Sequence, residues 1–164
     1  MNKIVISSCI ACVAMVLAPQ AAFSQGTVYV TSLGQPSIGS AAVASDSWQA
    51  EVIGTGKNPG GYVLDSIQLA MTPASGAPDD FTVMLYTATG NIGAVPGNSL
   101  GTLSGSSDPS TGGLYTYTAD SLDLAPSTDY FIVVTAGTAA SAGAYAWSLE
   151  NTSLRNRAPH LQPA

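Results

Sequence analysis

Ten carboxylates, one histidine, two cysteines and a scatter of serines are the residues of this chain that could do chemistry. A Ser-His-Asp set needs a histidine, and the only one is His160, in the proline-rich segment "LRNRAPHLQPA". No G-x-S-x-G elbow stands between a strand pattern and a helix pattern. Transition metals want His and Cys ligands. Both cysteines, Cys9 and Cys12, lie inside an N-terminal apolar run. Calcium asks only for carboxylates and carbonyls from loops. Asp79 and Asp80 are adjacent, and Asp120 and Asp123 lie three apart, but neither pair has calcium-loop spacing. Glycoside hydrolysis needs two carboxylates facing each other across a cleft. Most of the acids here fall in turns or at strand ends, where Asp bonds its own backbone. The expectation is therefore no catalytic residue and no cofactor, with calcium the one cation these residue types could hold.

Aromatic residues offer a different chemistry. A flat ring presents apolar area to the face of a sugar. Trp48, Trp147, Tyr86, Tyr115 and Tyr117 are the candidates. The competing reading is that large aromatics on strand parity fill the core. Exposure separates the two readings.

The elements that would position these residues are short. "SWQAEVI" puts Trp48, Ala50 and Val52 on one parity, and "YVLDSIQLAMT" does the same for Ile67, Leu69 and Met71. "FTVMLYT" alternates Phe81, Val83 and Leu85 against Thr82, Met84 and Tyr86. "LYTYTA" and "YAWSLE" alternate as well, and "YFIVV" is apolar on both parities. Period two over four to eight residues is the strand signal, and an apolar run on both faces is that of a central strand. Turn chemistry such as "GKNPGG" and "SSDPSTGG" separates the runs. No window carries a helical stripe. About seven to nine strands without helical crossovers predict an all-β, antiparallel β-sandwich, immunoglobulin/fibronectin-like or jelly-roll-like.

One stretch, "LDLAPSTDYFIVV", orders four residues ahead of an apolar run. The spacing Leu124-x-Pro126-x-Thr128-x-Tyr130 resembles the corner of fibronectin type III domains. There, a tyrosine hydroxyl bonds backbone a few residues upstream and pins the crossing between sheets. These four residues are expected to be structural.

The chain begins with Lys3, an apolar run from Ile4 to Leu17, and Ala22-Phe23-Ser24 before Gln25. This is the pattern of a secretory signal helix over residues 1–24 with cleavage after Ser24. Residues 25–152 would form the sandwich and 153–164 an irregular tail. Without Lys3, three bases (Lys57, Arg155, Arg157) stand against ten acids, a net charge of −7. The mature chain would carry no cysteine and so rely on its core; about 140 residues bury roughly 68% of their unfolded surface. With no cluster of Lys and Arg, neither nucleic acid nor an anionic membrane is an expected partner.

From about Trp48 to Thr152 the chain resembles the bacterial choice-of-anchor R domain. "LYTATGNIGAVPGNSLGTLSG", "YTYTADSLDLAPSTDYFIVV" and Trp147 carry the likeness. The resemblance implies a β-sandwich of exported proteins with no assigned activity, followed by a surface anchor. The tail departs from it, with no Pro-Glu-Pro sorting motif, sortase motif or apolar anchor helix. The expected role is a non-catalytic surface or extracellular-matrix interaction module, extracellular or on the cell surface. Its partner would be polysaccharide or another surface protein. A carbohydrate-binding module assisted by calcium is the alternative, and a glycan-acting enzyme comes third. Terminal sequencing of the secreted protein should read from Gln25; an intact Met1 on exported material would overturn the cleavage assignment.

Overall fold

The alternating runs pair as strands. A computed structural model of the chain describes residues 36–90, 93–105 and 108–150. The cleavage residues Ala22, Ser24 and Gln25, and the tail with His160, lie outside them. Eight strands run in order: β1 (Ser37–Val43), β2 (Gln49–Gly54), β3 (Tyr62–Gly76), β4 (Thr82–Thr89), β5 (Val95–Gly105), β6 (Gly113–Leu124), β7 (Asp129–Thr135) and β8 (Gly143–Glu150). Every strand pair is antiparallel. The fold is an all-β sandwich, and among the described residues no helix is long and apolar enough to cross a membrane.

The spatial order is β1-β8-β3-β6-β5-β4-β7-β2. Four of the pairs nest: β4 with β5, β3 with β6, β2 with β7 and β1 with β8. A long hairpin of four strands against four, rolled upon itself, gives this order. That is jelly-roll topology, so the jelly-roll branch of the expectation holds rather than the immunoglobulin one. Rolling adds the pairs β3–β8 and β4–β7. Only two residue pairs, Ser104↔Thr118 and Gly105↔Tyr117, continue the sheet from one layer to the other. At Gly105 a Cβ would collide with the Tyr117 ring, so this junction needs glycine. At the opposite seam β1 and β2 form no ladder, and Ala44 and Ser47 of their short connection bridge. Gln49 Nε2 also donates across the seam to the Ala42 carbonyl at 2.9 Å. Edge strand β2 turns Glu51 inward, opposite Ile132, a device that discourages edge-to-edge pairing.

The core follows from parity. Ile67, Leu69 and Met71 of β3 meet Val83 and Leu85 of β4, Ile132 and Val134 of β7, and Tyr145 and Trp147 of β8. β7 lies between β4 and β2, and Tyr130 to Val134 are all buried, as a run apolar on both parities requires.

The crossing from β6 to β7, between the two layers, is held by the corner residues. Tyr130 Oη accepts the Ala125 N–H at 2.8 Å. Leu124 is buried, and Thr128 Oγ1 donates to the Pro126 carbonyl at 2.9 Å. Thr55, after β2, grips the same loop: its hydroxyl donates to the Ala125 carbonyl at 2.6 Å and accepts the Thr128 N–H at 2.9 Å. Tyr130→Phe leaves the Ala125 N–H without its acceptor. The expected cost is about 1–3 kcal/mol in urea unfolding; a loss below 0.5 kcal/mol would show that the corner does not depend on the hydroxyl.

Candidate functional site

Three regions bring chemically capable residues together: the loops at one end of the roll, the corner at the other end, and the solvent side of the β2-β7-β4 layer.

At the first end, four loops meet. Asp46, between β1 and β2, accepts the Ala140 N–H of the β7–β8 loop at 2.9 Å. Thr138 of that loop donates its hydroxyl to Asp79, between β3 and β4, and accepts the Asp79 N–H at 3.1 Å. Asp108, between β5 and β6, accepts the Phe81 N–H at 3.2 Å. Each aspartate thus ties one loop to the next, and neighbouring Asp80 sits in the left-handed backbone region at φ 52°. Carboxylate oxygens committed to backbone and hydroxyl donors are partly withdrawn from any cation. Asp120 and Asp123 are exposed on β6, in the other layer from β4 and β7. Among the described residues no three acidic, His or Cys side chains are grouped to hold a metal ion.

Beneath those loops lie Phe81, Tyr117 and Tyr145. The Phe81 ring is 5.0 Å from Tyr145, edge on, and 5.7 Å from Tyr117. The Tyr145 hydroxyl donates to the Pro78 carbonyl at 3.0 Å. The Tyr117 hydroxyl is buried without a hydrogen-bond partner. Burial is the main force holding both phenols protonated far above the usual tyrosine value of 10.0, helped by the charge of Asp108.

The corner forms an open cleft of about 600 Å³ against the β2–β3 loop. Its walls include Pro59, Tyr62, Val63, Asp123, Pro126 and Tyr130. It offers one carboxylate and no facing pair, and its tyrosines are engaged: Tyr62 Oη accepts the Asn58 N–H at 3.2 Å, as Tyr130 does that of Ala125.

The solvent side of β2, β7 and β4 is different. It carries a second apolar cluster, separate from the core, with Ala50, Phe131 and Val133 at its centre, 0–2% exposed. Trp48, Val52, Met84 and Tyr86 pack over and around them, each partly exposed. Register explains the grouping. Val52, Phe131 and Tyr86 form one cross-strand row, and Ala50, Val133 and Met84 the next. Ser99 and Thr102 of β5, both exposed, extend the two rows with hydroxyls. The Trp48 ring is fixed by its Nε1–H donating to the Ser45 carbonyl at 3.0 Å.

Of the five aromatic candidates, the structure therefore places only Trp48 and Tyr86 together on an outer face. Trp147 and Tyr117 are core residues, 7% and 3% exposed. Tyr115 packs against the core and its hydroxyl donates to the Thr111 carbonyl at 3.0 Å. Three coplanar exposed rings are not present among the described residues. Sequence reading missed the apolar partners Phe131, Val133 and Met84 as members of this face. Their signal was there: "YFIVV" is apolar on the parity opposite to the core residues, and β4 puts Met84 and Tyr86 there too.

The buried phenols set a pH limit. Because folding favours their neutral form, their contribution is full below pH 10 and is lost as the pH rises beyond that value, where unfolded tyrosines ionise. Tyrosinate absorbance and circular dichroism followed together should show two tyrosines ionising only as the fold melts. Seven tyrosines titrating freely with the fold intact would contradict this.

No protein family, curated protein or solved structure matched the chain in comparisons with each.

Proposed function

We propose that the chain is a non-catalytic interaction module of the bacterial cell exterior, of the kind its resemblance to the choice-of-anchor R domain implies, and that it makes contact through the outer face of β2, β7 and β4. One observation carries the reading. Exposed apolar side chains such as Ile38 and Leu114 stand elsewhere on the domain, but among the described residues this face alone buries a separate apolar cluster, Ala50, Phe131 and Val133, under a partly exposed layer of Trp48, Val52, Met84 and Tyr86. A sheet face that only met water would be expected to alternate to polar residues on this parity. Contiguous apolar surface with a polar margin is the mark of a contact site. The aspartates at the loop end serve the architecture on this reading, since they bond the loops.

A carbohydrate-binding role, the second reading, is favoured by Trp48 and Tyr86 standing on this same face rather than in the core.

Thr102 tests the placement. It is exposed and pairs with Met84, so Thr102→Arg sets a long cation beside the apolar cluster at a stability cost of about 0.5 kcal/mol or less. Retention of the purified protein on the outer surface of the producing cells should fall at least tenfold. Unchanged retention, or native protein found only in the cytosol, would count against the proposal.

A further inference from the structure

We infer that the outer face of β2, β7 and β4 binds an uncharged polysaccharide, and that it does so without calcium. The inference rests on the reading of that face as the contact surface and adds the class of its ligand.

The face has two chemistries side by side. Trp48, Val52, Met84 and Tyr86, partly exposed over the buried Ala50, Phe131 and Val133, supply apolar and aromatic area. Ser99 and Thr102 continue the two cross-strand rows of this face with hydroxyls on β5. A pyranose ring has the matching pair, an apolar C–H face and a rim of hydroxyl groups. Stacking uses the first and hydrogen bonding the second. Trp48 is already held by its bond to the Ser45 carbonyl, so less side-chain freedom is lost when a ligand arrives.

Charge selects within the class of ligands. No acid or base stands in either row. Asp46, Asp79 and Asp108 are tied into the loop end, Asp65, Asp120 and Asp123 lie on β3 and β6, and Asp129 sits at the margin opposite Gly54. Lys57 is the one Lys or Arg among the described residues, and it is outside the face. A uronate polymer would meet an acidic domain with no cation to receive it, and a polycation would find no carboxylate in the rows. A second copy of this acidic chain brings like charge. An uncharged polymer of hydroxyls fits what is present. Calcium has no carboxylate to bind within the rows.

The chain's own tryptophans report the outcome. Trp48 is partly exposed on the face and Trp147 is buried in the core. The full chain should be titrated with soluble glucan, mannan and xylan oligosaccharides, and with uronate oligomers, with calcium and with a chelator. A saturable change in Trp48 emission with at least one neutral oligosaccharide, indifferent to the chelator and absent with uronates, is the expected result. Tyr86→Ala should weaken it at least tenfold and Tyr86→Phe by twofold or less, with both variants checked for cooperative melting. If Tyr86→Ala fails to fold, Thr102→Arg serves as the second variant and should weaken binding at least tenfold. Silence from every neutral oligosaccharide, preference for uronates, or loss of binding on chelation each overturns the inference. The parent reading is judged separately by retention on the cell exterior. Retention still lost in Thr102→Arg, with no sugar bound, would point to a protein partner; retention indifferent to the substitution would remove both.

Discussion

Four nested antiparallel pairs, with β4–β5 at the centre and β1–β8 outermost, hold this domain. Neither a helix nor a cysteine is found among the described residues, so the inward parities of the two layers must do the work of the core. Register is therefore strict. A one-residue slip in β4 would send Met84 and Tyr86 inward and expose Val83 and Leu85. The nesting also makes most contacts distant in sequence, and an outer pair closes at a smaller entropic cost once the inner ones have shortened the loop between its strands.

The rolled sheet leaves two places where one layer passes to the other or fails to, and each has its own solution. Between β5 and β6 the join is two residue pairs wide and depends on a glycine beneath the Tyr117 ring. Between β1 and β2 the sheet stays open, guarded by the Gln49 bond to Ala42 and by the inward Glu51. The loop ends are held by polar bonds rather than by packing. Aspartates link the four loops at one end, and Thr55 and Tyr130 lock the other. The outer face of β2, β7 and β4 carries an apolar cluster of its own, Ala50, Phe131 and Val133 with the partly exposed Trp48, Val52, Met84 and Tyr86, which the core between the layers does not account for.

Strand positions, the central place of β7 and the residues of the corner were legible from sequence, because period two, a doubly apolar run and the order Leu124, Pro126, Thr128, Tyr130 are local signals. The jelly-roll order was not. Every strand here can pair with any other as far as alternation goes, and only the summed fit of the inner faces selects β8 beside β3 rather than another neighbour. The roles of the aspartates were also hidden, since a carboxylate that ties two loops and one that awaits a cation have the same sequence signature.

Trp48, Tyr86, Tyr117 and Trp147 mark the division. By itself the sequence determined that Trp48 shares a parity with Ala50 and Val52, that Tyr86 shares one with Met84, and that Trp147 shares one with Tyr145. Periodicity states which residues face the same way, because successive side chains alternate across a strand. It does not state which way is inward. Only the closing of one layer upon the other decided that Trp147 and Tyr117 fill the core while Trp48 and Tyr86 stand outside it. Both parities of β4 are apolar enough to be buried, and the interior between the layers has room for one of them; in β2 the more polar parity, Gln49, Glu51 and Ile53, is the one set opposite the core residues of β7.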